Sequence, residues 1–405
     1  MKGLSSNITE IAEDKALRIY GVCLGVSFLA TYLFFLIYQN HLYLTDPHEA
    51  ICWPFFSQCR DFHILSPVQA QLSIHLLGLF SFAFTLSFIW NKIKTGYYLL
   101  LITWLYELLL ILQDFRFRQN QHYMLLWTTL AYLFIPKKRE AITFLIISFY
   151  WWAGRLKINE EWLSGSIIYK EMWLIPTRYF PLACTYVVVL ELIFIWALAV
   201  RKSRFFWPVY IQLILFHIIS WSQVGFYYPI LMSGIISAFP LFYFYPGSER
   251  SFGDLIRGKL EKSTYALILV VGFLQIIPLL YPGDSTLVGQ GRIFALHMFE
   301  ARQKCEVIVI EKFKNRIPQK LDLAQKDLPP RIMCEPILYF NRVQNQCLKM
   351  KQDPHFIDLD FYMNIGKATM PVMKPLISTQ DFCSQNLHYH PILPNPWIKP
   401  VLSEE

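Results

Sequence analysis

The 405 residues are 55% hydrophobic, 17% aromatic and only 16% charged, with a mean hydropathy of +0.34. An ordinary soluble domain carries about a quarter charged residues, so a wholly soluble, disordered or fibrous chain is excluded. A formal charge of +8, spread along the sequence, leaves no basic footprint for nucleic acid.

This is the composition of a polytopic membrane protein: mainly α, a transmembrane helix bundle surrounded by lipid. A span needs about 20 mainly apolar residues. Nine segments qualify in chain order: 17–38, 69–90, 96–113, 123–135, 141–157, 181–200, 205–222, 226–245 and 264–282. The fourth is short, and either starts near Gln119 or fails to cross. The apolar stretch after Leu17 is too long for a cleavable signal peptide and lacks a small-residue cleavage site, so it reads as the first span.

With the N-terminus inside, the four inner connectors (91–95, 136–140, 201–204, 246–263) hold twelve Lys/Arg. The four outer ones, twice as long in total, hold five. That bias predicts a cytoplasmic N-terminus and an extracytoplasmic C-terminal tail. Cysteine usage agrees. Cys23 and Cys184 fall in spans, while Cys52, Cys59, Cys305, Cys334, Cys347 and Cys383 all fall on the predicted exterior. An even set on an oxidising side predicts at least two disulfides, with the pairing open.

The domain division read from these features is a bundle over 1–282 and a small mixed α/β, disulfide-stapled tail over 283–405. In the tail, prolines set off short segments, and 306–310, 337–340 and 356–361 read as strands. Residues 166–176, SIIYKEMWLIP, read as an interfacial or re-entrant helix.

Ionisable groups within spans mark sites, because each costs about 2.5–3.5 kcal/mol to insert. His75, Glu107 and His217 lie roughly 8–9 Å below the outer ends of their spans at 1.5 Å per residue. Glu191 lies near mid-span, and Lys157 closes the fifth span at its outer mouth. Convergence on one depth predicts an outward-facing cavity. The plain alternatives are a structural Glu107–His75 pair and a Lys157 that snorkels to the headgroups. Arg116 and Arg118, after Asp114, read as a solvated turn; the aromatic runs 149–152 and 239–245 read as lipid-facing or interfacial belts. His388–Tyr389–His390 reads as exposed surface, and no metal site is indicated, since no C-x-x-C or HExxH occurs.

Three blocks then carry a resemblance: YWWAGRLKINEEW (150–162), VVVLELIFIWALAVRKSR (187–204) and FHIISWSQVGFYYPILM (216–232). With GRIFALHMFEARQKCE (291–306), they resemble the vitamin K-dependent γ-carboxylase and the wider horizontally transferred transmembrane (HTTM) domain family. The resemblance covers most of 1–310.

It implies an enzyme in which Lys157, matching the lysine of the AG-x-x-K block, deprotonates a reduced naphthoquinone. Oxygen then generates a strong base, and CO2 adds to a glutamate of a secreted peptide or protein. On that resemblance Lys157, His217, Glu191 and Glu107 are the catalytic set, with His217 as polar support and the two glutamates as orienting groups. His75, His122, Trp152 and Trp162 are the cofactor-binding set.

Two departures stand out. The family's N-H-x-Y reads Asn120, Gln121, His122, Tyr123 here, a shift of one position or about 100° on a helix. The tail is also shorter than the propeptide-binding portion of the animal enzyme. A non-carboxylating relative that assists maturation or export of a secreted peptide, and a structural or channel-like protein, are the alternative readings.

Overall fold

The computed structural model describes residues 2–168, 171–172, 174–200, 203–225, 227–245, 260–296, 303–321, 323 and 332–402. It divides into two compact units. One comprises 1–41, 68–110 and 118–273; the other comprises 42–67, 111–117 and 274–405.

The first unit is helical: α1 (Lys2–Glu13), α2 (Lys15–Ile37), α3 (Pro67–Ile89), α4 (Ile93–Gln113), α5 (Asn120–Phe134), α6 (Lys138–Leu156), α7 (Glu160–Leu163), α8 (Phe180–Leu192), α9 (Phe206–Val224), α10 (Tyr227–Ile236), α11 (Ala238–Phe244) and α12 (Lys262–Ile276) make up most of its described residues. Over the described residues, each of the nine apolar segments is largely helical. Among the described residues, six stretches are long and apolar enough to cross a membrane: Lys15–Ile37, Pro67–Ile89, Ile93–Gln113, Thr177–Ala199, Tyr227–Phe244 and Lys262–Leu280.

The other three fall short for separate reasons. α5 has only 15 residues. α6 carries Lys138, Arg139, Glu140 and Arg155, and α9 is diluted by Pro208, Gln212, His217 and Gln223.

Local chemistry sets several boundaries. Asp14 caps α2 by accepting from the backbone N–H of Ala16 at 2.8 Å and of Leu17 at 3.2 Å. Pro181 sits in the first turn of α8, where its missing N–H is not needed. Small residues then let helices close up. A Cβ on Gly25 would stand 2.0 Å from Thr85 Oγ1, and one on Gly234 would stand 2.2 Å from Ser27 Oγ. The described residues of 166–176 form turns and bends rather than the expected helix; Tyr169, Lys170 and Trp173 lie outside the described residues.

The second unit is built on an antiparallel sheet of β1 (Gln303–Phe313), β2 (Gln319–Leu321), β3 (Phe356–Lys367) and β4 (Lys374–Thr379), in the order β2-β1-β3-β4. Strands were expected over 306–310 and 356–361, and β1 and β3 contain them. The third expected strand, 337–340, is instead the first turn of α13 (Pro336–Met350). Ile-Leu-Tyr-Phe has strand propensity, but Pro336 presets the first helical turn. The apolar positions Ile337, Phe340, Val343 and Cys347, all buried, then recur at helical spacing. Phe340 packs on Phe382 and stacks on Trp397, with ring centroids 5.6 and 4.9 Å apart.

Three disulfides staple this unit: Cys52–Cys59, Cys305–Cys334 and Cys347–Cys383. Cys23 and Cys184 are free. Non-reducing proteolysis with mass spectrometry is expected to recover these three linked pairs. Serine replacement of the 347–383 bridge, which closes a longer loop than 52–59, is expected to destabilise this unit by about 2–5 kcal/mol.

Beside the first bridge, 48–52 docks on α13 through two asparagines one turn apart. Asn341 donates to Cys52 O at 3.3 Å and accepts from Cys52 N at 3.2 Å, while Asn345 donates to Ala50 O at 3.0 Å.

Arg116 is not the solvated residue expected from sequence. It is 6% exposed and clasps Asp114 with Nε at 2.9 Å and Nη2 at 2.8 Å, under the ring of Tyr43. Asp114 also accepts from Ile51 N at 3.1 Å and faces His63 Nε2 at 3.2 Å. Burial alone would push the Asp114 carboxyl up, but Arg116 and His63 outweigh it and hold the group below the usual carboxylate range. His388 and His390 are exposed as expected, whereas Tyr389 between them is buried beside Phe340.

Candidate functional site

The site lies within the helical unit, where α6 packs on α8. Gly154 permits the approach, since a Cβ there would stand 2.9 Å from Glu191 Cβ and 3.0 Å from Leu192 Cγ. α6 then ends, and the N–H of Lys157 turns back to Gly154 O at 3.1 Å.

Rather than snorkelling, the Lys157 side chain is 1% exposed and donates to both carboxylate oxygens of Glu191, 2.5 Å from Oε1. Glu191 is equally buried. The amine lies 5.0 Å from the ring centre of Trp162 and 5.4 Å from that of Phe216, so cation–π contacts supplement the ion pair. Trp162 is fixed by its indole N–H on Cys184 O at 2.8 Å and by its backbone N–H on Asn159 Oδ1 at 2.9 Å.

His217, on α9, is 2% exposed and 2.5 Å from the Tyr150 hydroxyl through Nε2. A phenol is the natural donor to an imidazole lone pair, which puts the ring proton on Nδ1. Nδ1 is buried without a hydrogen-bond partner. Tyr228 packs on the same imidazole with ring centres 5.5 Å apart. Lys157, Glu191, His217 and Tyr150 thus form a buried centre that offers two kinds of donor, an ammonium and an imidazole N–H, between aromatic walls.

Glu107 and His122 make a second centre. Glu107 Oε1 lies 3.4 Å from His122 Nδ1, with the two residues 0% and 1% exposed. Phe34 and Phe35 flank the imidazole at 5.8 and 5.1 Å. The two centres adjoin through the start of α10, where Tyr227 packs on Phe34 with ring centres 4.2 Å apart and Tyr228 reaches His217. His122 reaches Glu107 because α5 begins at Asn120, which puts it in the first helical turn.

The other expected site residues are placed differently. His75 does not pair with Glu107. It sits on an exposed face of α3 and bonds the Tyr32 hydroxyl through Nδ1 at 3.0 Å. Trp152 is half-buried, against Trp151 at 5.0 Å, with Arg155 over its ring.

Sequence places Tyr150 in an aromatic belt and gives it no role in the site, yet Phe149 and Tyr150 are both buried. The signal was present: Tyr150, Ala153/Gly154 and Lys157 recur at i, i+3/i+4 and i+7, which puts them on one helix face. Among the described residues no group of His, Cys, Asp and Glu could hold a metal ion. No family model, curated protein or solved structure matches the chain.

Proposed function

We propose that this chain is a nine-crossing integral membrane enzyme of the γ-carboxylase-like type. Its N-terminus is inside and its disulfide-stapled unit outside, and its buried lysine works on a lipid-soluble hydroxylic cofactor. The burial of the Lys157 amine against Glu191 carries the reading. A lysine at membrane depth is expensive, and a purely structural role is met more cheaply by apolar residues.

The paired geometry also suits proton handling. A proton can pass between Lys157 Nζ and Glu191 Oε with no net charge appearing in the bundle, so Lys157 can serve as a base without stranding a cation in hydrocarbon. Trp162 and Phe216 supply flat apolar walls, and His217 Nδ1 is an uncommitted donor for an oxygen atom. Those residues fit a reduced naphthoquinone, held by Lys157, His217 and Trp162. When bound, such a quinol supplies, with O2, a base strong enough to deprotonate a carbon acid ahead of CO2 addition. The chain's own part is to orient the hydroxyl, hold the proton at Lys157 and exclude water.

The test is reconstitution with a reduced naphthoquinone, labelled bicarbonate and glutamate peptides. Fixed label from wild type, absent with Lys157→Ala, is the expected result. A wild-type protein that oxidises no quinol overturns the reading.

The stapled second unit favours a second reading, in which the chain assists maturation or export of a secreted peptide. Under it, opening the Cys305–Cys334 bridge abolishes function while Lys157→Ala leaves it intact.

A further inference from the structure

The polar atoms around Glu107 and His122 are not satisfied by the helices that bury them. Both Glu107 oxygens and His122 Nε2 are buried without a hydrogen-bond partner. The tautomer follows from the neighbours of Nδ1. Thr31 gives its only hydroxyl proton to Ser27 O at 3.3 Å, so toward Nδ1, 3.4 Å away, its oxygen is an acceptor. As a carboxylate, Glu107, whose Oε1 is the other neighbour at 3.4 Å, is also an acceptor. Nδ1 facing two acceptors carries the ring proton, and Nε2 is left as a bare lone pair.

A carboxylate behind one ring nitrogen fixes the orientation and tautomer of the imidazole. Burying an acceptor such as Nε2 with nothing donating to it is unfavourable. The aromatic rings of Phe34 and Phe35 beside it offer no conventional donor.

We propose that His122 Nε2 is the accepting atom of a second ligand site. It takes a neutral hydroxyl group, with Glu107 as its positioning residue. The site uses α2, α4 and α5, and does not depend on the role given to Lys157 on α6. A hydroxyl is the matching chemistry because it brings the donor that Nε2 needs and adds no charge to an apolar setting. Water and the headgroup of an apolar alcohol both present it.

The experiment uses the full chain in lipid nanodiscs with 15N-labelled histidine, followed by proton-detected solid-state NMR. The His122 signal is assigned by its loss in His122→Gln. The expected spectrum has a protonated Nδ1 and an unprotonated Nε2 in contact with a hydroxyl proton. A contact to water protons without additive identifies water as the source. A contact that appears, with a saturable Nε2 shift, only on titration with 1-dodecanol identifies an apolar alcohol. Glu107→Gln is expected to mix the two tautomers and weaken either response, while far-UV circular dichroism stays unchanged. A protonated Nε2 in wild type, or an Nε2 that responds to neither water nor dodecanol, overturns the proposal.

Discussion

Lys157→Met is expected to destabilise the helical unit by about 3–5 kcal/mol, because it leaves the Glu191 carboxylate buried and unpaired. Glu191→Met should do comparable harm by stranding the ammonium. The double replacement removes both charges and fills the space with side chains of similar volume, so it is expected to recover most of the loss. The cycle, read as detergent unfolding midpoints, separates structure from chemistry. If the pair is purely structural, the double variant regains function along with stability. If Lys157 is the base, the double variant is folded and inert.

A comparable effect is expected at Asp114 in the second unit. Asp114→Asn removes a carboxylate that faces both the Arg116 guanidinium and the His63 imidazole, all within a buried network. The expected loss is again about 3–5 kcal/mol for a broken buried pair.

The pH dependence has a definite sign. Because the folded Asp114 carboxyl is held below its ordinary value, its contribution is fully present above the unfolded value of about 4. It is lost as pH falls through that value toward the lower folded one. Acid titration of the wild-type unit should therefore show a destabilisation below about pH 4 that Asp114→Asn lacks. Equal acid sensitivity in both proteins would count against the clasp.

Composition and apolar run length were enough to locate the nine apolar helical segments, since burial in lipid demands long unbroken hydrophobic stretches, but they left α1 and the single-turn α7 unread. They were a poorer guide to crossings, because α5, α6 and α9 combine helix with short length or polar interruption.

The tail shows a different limit. Ile337–Phe340 looks like a strand over four residues, and only the longer pattern through Cys347 reveals the helix. Nor does sequence tell that 48–52 docks on α13. Asn341 and Asn345 are unremarkable until the fold brings backbone carbonyls from nearly three hundred residues earlier beside them.

In the site, residue types flagged Lys157, Glu191, Glu107 and His217, because charge inside a span is conspicuous. Their partners were not legible. Lys157–Glu191 joins α6 to α8, and Glu107–His122 joins α4 to α5 in place of the Glu107–His75 pair that depth alone suggested. Depth along a helix is read from spacing, but azimuth around it depends on where each helix begins. The start of α5 at Asn120 decided that for His122.

The central claim is that the Lys157 amine is enclosed with Glu191 inside the bundle. Amine acylation of the native membrane protein with a membrane-permeant reagent, with mass spectrometry at each lysine, tests it most directly. The expected result is that Lys157 stays unmodified while exposed lysines such as Lys92 and Lys94 react, and that it becomes reactive in Glu191→Gln or on denaturation. A native Lys157 that acylates as fast as those exposed lysines would contradict it.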